Sequence, residues 1–287
     1  MARSILITGC SSGIGYAAAH ELHRRGWQVF ATARDAQDVE RLKSEGLLAT
    51  RLNLEESDSI QMALEWVLKQ TGGTLDALFN NGAYAIPAAV EDLSRAALRQ
   101  QLEHGLLGWH DLTVRVIPIM RKQGRGRIVQ NSSVLGLVSM CYRGSYCAMK
   151  YALEALSDAM RLELQGTGIT VSLIEPGPIR SQFRQNAYRA FKRWVNVQAS
   201  HHQAAYQQMI NRLDSTHPAP FTLEPDAVVS ALVHALEADR PKARYFVTKA
   251  TWIMVAMKRL LPTAWHDRVS QHLSKKEGEH YPPKNES

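Results

Sequence analysis

Tyr146 and Lys150 stand four residues apart in Tyr146-Cys-Ala-Met-Lys150, within a stretch patterned as a helix. Residues at that spacing share one helix face, so a phenol and an ammonium can serve a single site. A phenol titrates near pH 10, and a neighbouring positive charge makes its proton easier to give up and take back. The spacing alone is a weak signal, because Tyr188/Lys192 and Tyr245/Lys249 repeat it. Context separates the three. Ser133 lies thirteen positions before Tyr146, at the end of the strand-like run Ile128-Val-Gln-Asn-Ser-Ser-Val-Leu-Gly136; the same offset gives Glu175 and Leu232 for the other pairs. Those two are read as surface or core residues.

A second constellation opens the chain. A short apolar run leads into Thr8-Gly9-Cys10-Ser11-Ser12-Gly13-Ile14-Gly15, and a helical pattern follows from Tyr16. Gly9 permits a tight turn, Gly13 lets backbone approach a pyrophosphate, and Gly15 lets the helix pack closely on the sheet. The new helix offers free N–H groups and the positive end of its dipole to phosphates. Strand, glycine turn and helix in this order predict dinucleotide binding. The end of the second strand selects the dinucleotide. NAD sites place a carboxylate there for the ribose 2′-hydroxyl, whereas Val29-Phe30-Ala31-Thr32-Ala33-Arg34 ends in a guanidinium. Arg34 can pair with a 2′-phosphate, with Ser11 adding a hydroxyl, so NADP is expected. Asp35 follows at once and competes for Arg34, or turns to solvent.

These residues need a scaffold, and the chain alternates short β-branched runs with longer helical stretches. Strands are predicted over 4–8, 28–33, 49–53, 77–80, 127–132, 170–175 and 244–247, and helices over 14–25, 36–45, 56–71, 94–122, 145–165 and 225–238. That rhythm argues for an α/β, doubly wound (Rossmann) parallel sheet of about seven strands with helices on both faces. A single domain is expected over residues 1–287, with a substrate lid inserted at 178–221 and a frayed tail after residue 278.

The ordered set now resembles the short-chain dehydrogenase/reductase family over nearly the whole length. It comprises the turn from Thr8, Asn80-Asn81-Gly82-Ala83 after the fourth strand, Ser133, Tyr146/Lys150 and Pro176-Gly177 after the sixth. Thr-Gly-Cys-Ser-Ser-Gly-Ile-Gly and Ala-Thr-Ala-Arg resemble the branch acting on steroids, retinoids and other apolar carbonyls. The resemblance implies that Tyr146 gives its proton to the carbonyl oxygen as hydride arrives, with Lys150 holding the nicotinamide ribose and Ser133 bonding the substrate oxygen. It also implies cofactor contacts from Gly9, Ser11, Ser12, Gly13, Ile14, Gly15, Arg34, Asn80, Gly82, Tyr146 and Lys150. Pro176, Gly177 and Ile179 shape the nicotinamide site, and Ser181 stands where a phosphate-side threonine is frequent. A homodimer or homotetramer through helices 94–122 and 145–165 is implied as well.

Four positions depart from that pattern. Asn53-Leu54 stands where an aspartate usually meets adenine, and Asn-Asn-Gly-Ala replaces Asn-Asn-Ala-Gly. Met149 replaces a small polar residue before the lysine. In Leu102-Glu-His-Gly105-Leu-Leu-Gly108, Gly105 occupies the place of the asparagine that carries a water-linked proton relay. Glycine inside a helix is also about 1 kcal/mol worse than alanine. An active enzyme is expected from the intact Ser133, Tyr146 and Lys150. The alternative is a catalytically weakened dinucleotide sensor or partner-binding module.

Composition narrows the remaining classes. Three cysteines, Cys10, Cys141 and Cys147, make neither a disulfide framework nor a zinc site, and a reducing, cytoplasmic setting is expected. No metal is expected, and His201-His202 lacks ligand company. The net charge of +7 is spread along the chain, which argues against nucleic acid. No stretch is long enough for an integral membrane segment, and 252–261 is read as a packing helix in preference to a peripheral membrane contact. The segment 178–221 carries Phe183, Tyr188, Phe191, Trp194, Tyr206, Met209 and Phe221. Their aromatic character suits an apolar carbonyl or alcohol substrate, or equally the packing of lid helices. The cations among them, Arg180, Arg184, Arg189, Lys192 and Arg193, are read as a solvated lid face in preference to an attractor of acidic substrate.

Overall fold

Every strand of the sheet is parallel, in the order β3-β2-β1-β4-β5-β6-β7. In the computed structural model, which describes residues 2–215 and 217–279, the strands are β1 Ser4–Ile7, β2 Gln28–Ala33, β3 Leu48–Arg51, β4 Ala77–Asn80, β5 Gly126–Asn131, β6 Ile169–Glu175 and β7 Arg244–Phe246. The helices are α1 Gly13–Arg24, α2 Ala36–Ser44, α3 Ser57–Thr71, α4 Arg95–Leu102, α5 Gly108–Gln123, α6 Gly144–Glu163, α7 Phe183–Trp194, α8 Gln203–Asp214, α9 Asp226–Glu237, α10 Lys249–Leu260 and α11 Thr263–Glu279. Apart from Glu279, the tail expected after residue 278 lies outside the described residues.

Buried parallel strands present apolar side chains on both faces, and successive residues alternate between them. Ile5 and Ile7 join Val29 and Ala31 beneath α1, α2 and α9. Leu6 and Phe30 turn the other way, against Ile60 and Leu64 of α3 and Leu112, Val116 and Met120 of α5. A third cluster lies above the carboxyl ends of the strands, where Phe191 of α7 and Tyr206 and Met209 of α8 pack on Met149 and Tyr146.

The strand order reverses between β1 and β4. In open α/β sheets the crevice at that reversal, outside the strands' carboxyl ends, is where ligands bind. Thr8 ties its two sides together: its Oγ1 accepts from the Asn81 and Gly82 N–H groups at 2.8 and 3.0 Å.

The stretch 94–122 is helical as expected, running unbroken from Arg95 to Gln123, but its winding changes on the way. α4 and α5 are separated by a wide π-type turn at Glu103–Leu107, centred on Gly105. A Cβ built at Gly105 would lie 2.0 Å from Met149 Sδ and one at Gly108 would lie 2.0 Å from the Leu54 carbonyl oxygen. The chain passes too close to α6 and to the 53–54 loop for side chains there, and the widened turn accommodates that approach.

Candidate active site

A cleft of about 2030 Å³ runs along the carboxyl ends of the strands, from Arg34 and Asn53 through Ser133, Tyr146 and Lys150 to Met257 and Leu273. Nearly all of the residues expected from sequence line it: Gly9, Ser11, Ser12, Gly13, Ile14, Arg34, Asn53, Leu54, Gly82, Ser133, Tyr146, Lys150, Pro176, Gly177, Ile179 and Ser181. Gly15 and Asn80 stand behind the wall. A Cβ at Gly15 would lie 2.2 Å from the Gly9 carbonyl oxygen, so this glycine permits the turn to fold against α1. Asn80 is fully buried, and its Nδ2 donates to Thr113 Oγ1 and Gln130 Oε1. Its neighbour Asn81, pointing the opposite way, lines the cleft and donates to the Thr8 and Gly9 carbonyls at 3.0 and 3.2 Å.

The glycine turn has the shape that a phosphate group requires. Gly9 takes φ +72, and a Cβ there would meet Gly82 Cα at 2.5 Å. Gly13 opens α1, so the first N–H groups of that helix face the cleft unhindered by a side chain. This cradle, which any side chain would fill, fits a dinucleotide pyrophosphate. At the β2 end, Asp35 caps α2 by accepting from Gln37 N at 3.1 Å. No carboxylate among the described residues pairs with Arg34, which is exposed at the cleft wall.

Sequence reasoning did not find Arg41. Its guanidinium donates to the Ser11 carbonyl at 2.7 Å, pairs with Asp38 and Glu45, and lies 5.4 Å over Tyr16. It braces the glycine turn from α2, and no sequence motif marks it.

The catalytic candidates converge from β5 and α6. Ser133 follows β5, and its Oγ accepts from Leu135 N at 3.1 Å, leaving the hydroxyl proton to donate. Tyr146 lies in the first turn of α6 with its ring edge-on to Phe183, centroids 5.4 Å apart. Burial pushes the Tyr146 phenol well above its ordinary range, and the hydrogen bond from Ser133 pulls it back in part. Lys150 Nζ donates to the Asn131 carbonyl at 2.7 Å and lies 4.2 Å over the Trp109 ring. Burial pulls its ammonium down to about 7, opposed by the negative charge of Glu154. A polyanionic ligand in the cleft would favour the charged form further.

Two neighbours of the lysine went unnoticed in the sequence. Trp109 is fully buried and donates from Nε1 to the Gly82 carbonyl at 3.0 Å, locking the platform beneath Lys150. His104 stacks on Tyr84 at 3.7 Å, accepts from Tyr84 N at 3.1 Å, and is held by burial at about 4, so it is neutral.

The other Tyr-x-x-x-Lys pairs stand apart from this site. Lys192 lies 4.4 Å over the Tyr188 ring, and Tyr245 bonds His234 and Lys242 N in the β7 region. The aromatic residues of 178–221, with Met209, divide between the two roles expected of them. Phe183, Trp194 and Phe221 line the cleft, while Phe191, Tyr206 and Met209 pack in the third cluster. Among the described residues no group of three or more His, Cys, Asp or Glu could hold a metal, and no helix is long and apolar enough to cross a membrane.

Comparison with known proteins agrees with this geometry. The short chain dehydrogenase family model matches residues 3–192. An uncharacterized oxidoreductase of Escherichia coli K12, YbbO, is 42% identical over 278 residues, covering 94% of this chain and 95% of the relative. Mouse retinol dehydrogenase 7 is 34% identical over 254 residues, 84% of this chain and 79% of its own. Among solved structures, a short-chain dehydrogenase from Streptomyces avermitilis superposes with a TM-score of 0.72 at 25% identity, covering 99% of this chain and 98% of that one. A short chain dehydrogenase/reductase from Burkholderia phymatum in complex with NAD shares the fold, with a TM-score of 0.77 at 21% identity and coverage of 94% and 95%.

Proposed function

The chain belongs to the short-chain dehydrogenase/reductase family, and on that footing we propose that it is an NADP(H)-dependent oxidoreductase interconverting an apolar carbonyl and its alcohol. The observation that carries this reading is the convergence of Ser133, Tyr146 and Lys150 on one wall of a cleft that also holds the glycine turn and Arg34. Bound NADPH would supply the hydride.

The remaining steps belong to the chain's own groups. Gly9, Ser11, Ser12, Gly13 and Ile14 receive the phosphates, and Arg34 with Ser11 receives the 2′-phosphate. Asn53, Leu54 and Gly82 border the adenosine half; Pro176, Gly177, Ile179 and Ser181 border the nicotinamide half. Ser133 turns its hydroxyl to hydrogen-bond the substrate oxygen as negative charge develops there, and Tyr146 delivers the one phenolic proton, so that the carbonyl leaves as an alcohol. Lys150 holds the ribose hydroxyls and stabilises the phenolate left behind.

An apolar substrate is supported by one part of the cleft wall, which elsewhere carries Arg180, Arg184, Arg189 and Arg193. Phe183, Trp194, Phe221, Met254, Met257 and Leu273 line it, and a recess of about 70 Å³ opens beside Tyr146 and Phe183 between Ala85, Ala187 and Leu213. A relative named as a retinol dehydrogenase is consistent with that chemistry. The reading of the chain as a sensor is not favoured, since Ser133, Tyr146 and Lys150 line one site. Self-association through α4, α5 and α6 is supported by the exposed Leu98, Val114, Tyr151 and Leu162 on those helices. A panel of aldehydes, ketones and retinoids, each tested with NADPH and NADH, checks the proposal. Turnover of apolar carbonyls with NADPH preferred is expected; no turnover with any carbonyl would reject it.

A further inference from the structure

The α10–α11 hairpin carries an apolar face that the fold does not use. On α10, Thr251 and Val255 are buried against the body, while Trp252 and Leu260 stand 60% and 80% exposed on the outer side. Trp265 in the first turn of α11 is 58% exposed. These residues border the cleft mouth, because Ile253, Met254, Met257, Val269 and Leu273 of the same hairpin line its interior. Across the mouth Phe221 is also exposed, held at φ +62. A bulky side chain seldom adopts that backbone region, so the loop presents this ring outward at a conformational cost.

Exposed tryptophans and leucines grouped on one face mark a contact surface. The charge around them identifies the partner. Among the hairpin residues whose side chains are described, Lys249, Lys258, Arg259 and Arg268 are exposed, against the one exposed carboxylate of Asp267. Two copies meeting through this face would bring like charges together. A bilayer bearing anionic headgroups instead meets the apolar stripe with its acyl boundary and the cations with its phosphates. α10 has twelve residues, roughly 18 Å of helix against an apolar core of roughly 30 Å, so it would lie on the surface rather than cross it.

We propose that the outer face of α10–α11, with Phe221, docks on the headgroup layer of a membrane containing anionic lipid, with the cleft mouth turned toward the bilayer. This does not depend on the reaction proposed above, because docking is read without turnover. The test is co-sedimentation of the full chain with vesicles of phosphatidylcholine alone and of equal parts phosphatidylcholine and phosphatidylglycerol. Two doubly substituted chains accompany it, Leu260→Gln with Trp265→Gln and Lys258→Glu with Arg259→Glu, and NADPH binding verifies that each is folded. The bound fraction should rise about tenfold with phosphatidylglycerol, fall with added salt, and drop to background in both variants. Absence of binding to the mixed vesicles, or binding unchanged by the substitutions, would overturn the proposal. Concentration-dependent dimerisation lost in the variants, without vesicle binding, would overturn it too and assign the face to a second copy.

Discussion

Gly105 and Met149 occupy one volume. A Cβ at position 105 would stand 2.0 Å from Met149 Sδ and 3.0 Å from its Cε, and Met149 is fully buried. Gln101 Nε2 holds the sulfur from a third side at 3.2 Å while also donating to the Tyr84 carbonyl. Two departures from the family pattern are thus one structural unit, in which the thioether fills the space an asparagine side chain would take.

Restoring asparagine at 105 alone should therefore fail. The helix-propensity gain over glycine is under about 1 kcal/mol, whereas overpacking a closed site costs about 1–3 kcal/mol. Gly105→Asn should lower the melting temperature, and adding Met149→Ser should recover most of it. A double-mutant cycle on melting temperature and kcat measures the coupling. Additive effects would show that the two residues do not share the space.

Arg34 should govern the choice between cofactors. Arg34→Ala should weaken NADPH binding about ten- to hundredfold, the loss of a charged hydrogen bond worth about 1.5–3 kcal/mol, and leave NADH binding unchanged. Titration of protein fluorescence with each nucleotide reads both constants. Equal weakening of the two would assign Arg34 a structural role.

Much of this was legible in residue order. The strands fall within a residue or two of their expected bounds, because apolar runs punctuated by glycine and asparagine admit little else. The glycine turn and the Ser133–Tyr146–Lys150 spacing survive because each is local or anchored to a strand end. Contacts between distant segments were not legible. The pattern over 94–122 is continuous, and only the packing of Gly105 on Met149 and of Gly108 on Leu54 accounts for the π-type turn at Glu103–Leu107. Asn80 and Asn81 share a motif, yet successive residues point oppositely at a strand end, and the second faces the cleft. Arg41 and Trp109 act through partners brought near only by folding.

Lys150 should make stability depend on pH. Its ammonium falls from 10.5 when unfolded to about 7 in the fold. A depressed folded value means that the stabilising balance is complete above pH 10.5 and is lost as pH falls through 7. Lys150→Met removes this penalty, so its melting temperature relative to the parent chain should rise progressively from pH 10 to pH 6. A difference independent of pH would mean that the lysine is not desolvated in the free protein.

The raised Tyr146 phenol should shape the pH dependence of the two directions differently. With its proton held well above the ordinary range by burial, Tyr146 is an acid at pH 7 and a base only in alkali. Carbonyl reduction should hold its kcat/KM across neutral pH, while alcohol oxidation should climb with pH. Coincident profiles for the two directions would place the controlling proton elsewhere.

The central claim is that Tyr146 delivers the proton as hydride reaches the carbonyl. Its most direct test is single-turnover oxidation of bound NADPH by a competent aldehyde, followed in the parent chain and in Tyr146→Phe at saturating cofactor. The account predicts unchanged NADPH binding and a rate lowered about 10²- to 10⁴-fold by loss of one hydroxyl. A Tyr146→Phe chain that turns over at the parent rate would contradict it.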